Sequence, residues 1–154
     1  MTAAEIIQTL GEAGANPVFL NFVLDREYAC PAADYIRGDF AKWFWAEQYR
    51  RGVAVWKAES NDCDNFSLRA MVDFQVAHHQ ASPNSQTGIA FGLFFYRVGG
   101  KPDGEAHAIC FAIIRGADGK YCVMFFEPQP QGGTFGEVML NQEEINSCFG
   151  YLVC

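Results

Sequence analysis

The sequence predicts an α+β fold with an antiparallel sheet, and three observations carry that prediction. Apolar residues recur at helical spacing through the first half of the chain; the pattern turns strand-like after Pro83; and Gly116-Ala-Asp-Gly119 is a strong hairpin signal between two of the strands. Helices first and strands afterwards is the order of an α+β domain. No repeat, low-complexity tract or linker divides the chain, so residues 1–154 are expected to form a single domain.

Thr2 and Glu5 have capping-box spacing ahead of Ile6, Ile7 and Leu10, which predicts a first helix ending near Gly11 to Gly14. Asp34 can cap a second helix with Ile36, Phe40, Trp43 and Phe44 on one stripe and Gly52 as its stop. A third helix starts around Asp62, turns Phe66, Ala70, Met71 and Phe74 inward, and frays near His78 and His79, whose rings suit a helix C-terminus. Residues 88–98, 107–115 and 120–127 read as strands, with shorter candidates at 134–140 and 149–153 and a turn or short helix opened by Asn141.

Composition narrows the function. Half of the 154 residues are apolar, and 14 phenylalanines, 6 tyrosines and 3 tryptophans supply material for a large core. A net charge of −7 argues against a general nucleic-acid partner, which needs a basic face. No segment reaches the ~18 apolar residues of a membrane span. The N-terminus lacks the basic start of a signal peptide, so the expected location is cytoplasmic, or released without such a leader. Six cysteines without a CxxC pair are expected to be free thiols, although the even count leaves disulfides open. The run Trp43-Phe44-Trp45 is expected to be core with one exposed ring; a homodimer surface is the alternative.

One constellation carries chemistry. Folding the hairpin about residue 117 sets His107 opposite Glu127, and side-chain alternation puts Gln129 on the face of Glu127, so either could reach the imidazole. Cys63 follows the expected cap Asp62 at a helix start. A cysteine nucleophile needs a base and a group that orients the base, and these residues supply all three. Orphan N–H groups of the helix start suit an oxyanion, with Trp56 and Gln48 as further donor candidates. Cys110 and Cys122 sit in apolar strand runs and read as core thiols. Cys30, Cys148 and Cys154 have no activating neighbour. The bland alternative is a packed thiol, an edge histidine and a strand-end acid.

Trp56, Asp62-Cys63-Asp64-Asn65-Phe66, His107-Ala108 and Glu127-Pro128-Gln129 together resemble a branch of papain-like cysteine peptidases, that of the C-terminal protease domain of the Marasmius-type fungal agglutinins. The resemblance covers roughly residues 56–129. It implies a papain-like fold with N-terminal helices packed on the sheet, a peptide or amide substrate, and an acyl-enzyme on Cys63 with His107 as base and Glu127 as orienting acid. It also implies support by calcium or a similar hard cation, for which Asp62, Asp64 and Asn65 are the candidate ligands. Asn65 stands where that family usually has aspartate, and the sugar-binding module of those proteins has no room here, so a sugar-binding role does not carry over. The order of residues is also similar to CHAP and NlpC-type peptidoglycan amidases, without their usual Cys-Ser-Gly or Gly-His-Val surroundings. A transglutaminase-like acyl transferase would use the same triad.

Asp62 and Asp64 raise a question of their own. Like charges beside a thiol oppose its ionisation, and a bound cation would cancel them. Oxygen donors suit calcium rather than zinc. The alternative is that Asp62 only caps the helix and Asp64 complements its dipole. Against every enzyme reading stands a non-catalytic protein that keeps the fold and binds a partner or stabilises an assembly.

Overall fold

The computed structural model describes residues 1–17, 20–58, 60–129 and 135–154. Helix α1 (Ala3–Ala13) is bounded as its sequence dictates. Thr2 and Glu5 close the capping box, and Gly14 adopts φ 105° at the C-cap, a left-handed conformation suited to glycine. Its inward residues Ile6 and Leu10 are fully buried, each contributing about 1.5–3 kcal/mol by leaving water.

Two short strands follow that the hydrophobic pattern did not reveal, β1 (Leu20–Val23) and β2 (Tyr28–Ala29). The next helix runs as α2 (Ala33–Tyr35), a π-helical turn over Ile36–Phe40, and α3 (Ala41–Arg50). Its N-cap is Ala32 rather than Asp34, which lies inside the first turn and pairs with Arg37 at 2.8 Å. Phe40, Phe44 and Trp45 are buried and Trp43 is the exposed ring. Helix α4 (Cys63–Ala81) is capped by Asp62, with Asn65 Oδ1 accepting the Asp62 N–H at 3.2 Å. It continues two residues beyond His79, and His78 Nε2 meets the Thr87 carbonyl at 3.1 Å.

The expected strand at 88–98 is two strands. β3 (Gly88–Ile89) pairs parallel with β2, and β4 (Phe91–Arg97) enters the main sheet. There it joins β5 (Ala106–Arg115), β6 (Tyr121–Glu127), β7 (Gly136–Val138) and β8 (Gly150–Val153), with the short helix α5 (Gln142–Asn146) before β8. Residue 134 of the expected 134–140 strand lies outside the described residues. The strand order is β1-β8-β4-β5-β6-β7.

Two features of the expected fold need correction. The sheet is mixed, not antiparallel, because β1 runs parallel to β8; the other pairs are antiparallel. The helices are not one N-terminal layer. Phe40, Phe44, Phe66 and Phe74 pack on the Phe91, Cys110 and Phe126 side of the sheet, while Ile6 and Leu10 pack on the Phe94, Ile109 and Phe125 side. A sheet with alternating apolar residues on both faces needs cover on both, and α1 supplies the second layer.

Candidate functional site

The start of α4 meets the start of β5 at one end of the sheet. A side chain that sequence reasoning passed over fixes this meeting. Ser67, fully buried and one turn beyond Cys63, donates its hydroxyl to the Ala108 carbonyl at 3.1 Å. Cys110 returns the link, its thiol reaching the Ser67 carbonyl at 3.6 Å. Cys63 and Ser67 share a helix face at i, i+4, so tying Ser67 to residue 108 sets Cys63 beside His107. The available signal was a polar residue inside an apolar helical stripe.

The Cys63 thiol hydrogen-bonds the His107 ring. His107 Nε2 lies 2.8 Å from Glu127 Oε2, which leaves Nδ1 as the ring nitrogen for sulfur. Burial opposes the charged ring, but the hydrogen bonds to Cys63 and Glu127 outweigh it and push His107 up to about 10. Gln129 serves Glu127 rather than replacing it: its backbone N–H donates to Glu127 Oε1 at 2.9 Å. The expected choice between Glu127 and Gln129 thus falls to Glu127.

An open cleft of about 660 Å³ lies over these groups, lined among others by Trp56, Asp62, Cys63, Tyr96, His107 and Gln129. Gln48 is absent from it. Its amide is fully buried, accepting from Arg69 Nε at 2.8 Å, and Arg69 Nη2 donates to Asn61 Oδ1 at 2.6 Å. Asn61 in turn donates to the Val53 and Val55 carbonyls at 2.9 and 2.5 Å. This network pins to α4 the loop that carries Trp56.

All six cysteines are free. Burial pushes the thiols of Cys30, Cys110, Cys148 and Cys154 up, Cys148 to about 12. Cys122, expected in the core, is exposed; Met124 is the first residue of its face that packs against the interior.

Asp62 and Asp64 hydrogen-bond each other, and this contact, then burial and their mutual repulsion, raises the Asp64 carboxyl above its ordinary range. These are the two carboxylates of the expected cation site. Asn65 does not fit as its third ligand, because its Oδ1 is engaged in the cap. Among the described residues no group of three or more His, Cys, Asp or Glu could hold a metal. No helix among them is long and apolar enough to cross a membrane.

No family model matches the chain, and no curated protein matches it. Among solved structures, a complex of PSL1a with E64 matches with a TM-score of 0.70 and 23% identity, over 99% of this chain and 50% of that one. Polyporus squamosus lectin, bound to the human-type influenza-binding epitope Neu5Aca2-6Galb1-4GlcNAc, matches with a TM-score of 0.65 and 23% identity, over 99% and 49%. The chain spans about half the length of these structures.

These findings correct the resemblance drawn from short motifs. The solved structures that share the architecture carry the names of a lectin and of PSL1a, not of papain-like peptidases, and they are complexes with a sugar epitope and with E64. The papain-like fold, the cysteine peptidase or amidase activity and the peptide or amide partner therefore give way. Motifs of two to five residues record the neighbourhood of a cysteine and a histidine, whereas the match in three dimensions spans nearly the whole chain. The fold of this chain is shared with about half of each of these two structures.

Proposed function

We propose that this chain is a ligand-binding protein whose site is the cleft over Cys63, and that Cys63 anchors the ligand as a nucleophilic thiol with His107 as its base. Glu127 orients the base. The observation that carries this reading is the unbroken chain from Cys63 through His107 to Glu127 at the cleft. Both solved neighbours are complexes with small ligands, which supports binding as the general activity.

The hydrogen bonds to Cys63 and Glu127 hold a proton on the His107 ring more tightly, pushing it up to about 10. Glu127 holds Nε2, so Nδ1 addresses the sulfur, and the N–H groups opening α4 can receive charge that develops on a ligand. An electrophilic carbon brought to Cys63 gains a C–S bond, and its leaving group takes a proton from His107. A hard cation held by Asp62 and Asp64 would supply charge neutralisation beside the thiol.

A second reading rests on Trp56. Its half-exposed indole stands in the cleft with Asp62, Glu105 and Gln129, an aromatic face with polar neighbours that suits a sugar ring without covalent capture. Incubation with E64, and separately with Neu5Aca2-6Galb1-4GlcNAc, distinguishes the two. The covalent reading expects one E64 per chain, mapped to Cys63 by mass spectrometry, lost in Cys63→Ser and slowed about a hundred-fold in His107→Gln. Calorimetric binding of the sugar, undiminished in Cys63→Ser and without any E64 adduct, would replace it with the sugar reading.

A further inference from the structure

We infer that the cleft over Cys63 selects cationic ligands, with the Glu105 carboxylate as counter-ion and the Trp56 indole as the surface that receives the positive group. The inference rests on the reading of Cys63 as the nucleophile of this cleft. Asp62 and Glu105 line it, and no lysine or arginine among the described residues does. His107 is the basic group there, and Cys63 and Glu127 already engage it. Asp62 is committed as well, since it caps α4 and hydrogen-bonds Asp64. Glu105 differs. Its backbone carbonyl accepts the Val98 N–H at 3.0 Å, but no side chain among the described residues bonds or pairs with its exposed carboxylate.

Its position gives that carboxylate a use. Glu105 immediately precedes β5, and its bond to Val98 continues the β4–β5 ladder by one pair. Alternation therefore sets it on the His107 face, about 7 Å along the strand direction. Trp56 comes from elsewhere, on the loop that Asn61 and Arg69 pin to α4, with its ring half-exposed in the same cleft. An indole face attracts a cation through its quadrupole, and a carboxylate does so through its charge and lone pairs. A guanidinium satisfies both, being flat enough to stack and forked to match a carboxylate. A cleft lined by one sign of charge concentrates the opposite sign, and an anionic ligand meets repulsion in the same place.

The test uses methanethiosulfonates that differ in charge: the cationic trimethylammonioethyl, the anionic sulfonatoethyl and the neutral methyl reagent. Each forms an S–S bond with a cysteine thiolate and releases methanesulfinate, and mass spectrometry reads the rate at each cysteine. On the full chain, the cation-to-anion rate ratio at Cys63 should exceed that at exposed Cys122 by about ten-fold or more. It should fall toward the Cys122 value in Glu105→Gln and drop in Trp56→Leu. Equal ratios at the two cysteines, or a ratio unmoved in either variant, would overturn the inference. A Cys63 no faster than Cys122 toward the neutral reagent would instead overturn the reading of Cys63 as a nucleophile, on which the inference rests.

Discussion

His107 Nε2 and Glu127 Oε2 lie 2.8 Å apart although the two residues are not directly opposed in the sheet. Cys110 faces Phe126, and extending that register places Gln129 across from His107 and Glu127 one step back along the same face. The carboxylate bridges the diagonal, a reach open to long side chains. Its other oxygen is fixed by the Gln129 N–H.

This pairing makes stability depend on pH in a definite direction. A ring whose proton is held more tightly in the fold stabilises it fully below its unfolded value of about 6.5. That contribution is lost as pH rises toward the folded value of about 10. Melting temperature should therefore fall across this window, and His107→Gln should flatten the slope. Glu127→Gln should lower the NMR titration midpoint of the ring by about 1–3 units. An unmoved midpoint would mean that Glu127 does not hold the charge.

Ser67 should matter twice. Ser67→Ala removes the bond to the Ala108 carbonyl inside the core, at a cost of about 1–3 kcal/mol in chemical denaturation. Because the same bond sets Cys63 against His107, iodoacetamide labelling of Cys63 at neutral pH should slow as well. Loss of stability with labelling intact would confine Ser67 to packing.

The acids beside the thiol give a prediction of opposite sign to ordinary capping. A carboxyl whose proton is held more tightly in the fold costs stability as pH rises through its folded value. Asp64→Asn should then melt higher than the parent at pH 7, with the gain shrinking in acid. Calcium should raise the melting temperature of the parent by mass action and leave Asp64→Asn unmoved. Superimposable curves with calcium and with chelator would leave both aspartates as helix-end residues alone.

The loop that carries Trp56 should loosen when its anchor is cut. Asn61→Ala frees the Val53 and Val55 carbonyls and leaves Arg69 short of one acceptor. The expected loss is about 1–3 kcal/mol. Collisional quenching of tryptophan fluorescence should rise with it, since Trp56 is the ring this loop presents to solvent. Unchanged quenching would show that the loop holds its place by other contacts.

The sequence by itself determined what local hydrogen bonds and short periods decide. The Thr2–Glu5 box opens its helix as read, Asn141 opens the short helix α5, α4 begins behind Asp62, and the strands on either side of Gly116–Gly119 form where alternation placed them. The approach of His107 to Glu127 was legible because one hairpin joins them, even though Lys120 belongs to the turn. The Gly116 N–H donates to the Lys120 carbonyl at 2.8 Å, which shifts the register from the symmetric fold about residue 117 without changing faces.

Only the tertiary structure decided the rest. The parallel seat of β1 on β8 joins residues 130 positions apart, and four residues carry no period that announces it. The placement of α1 and α4 on opposite faces follows from which side of the sheet remained to be covered. Ser67 reads in sequence as one polar position in a helix. Its significance comes from a carbonyl across the helix–sheet contact, which long-range packing creates.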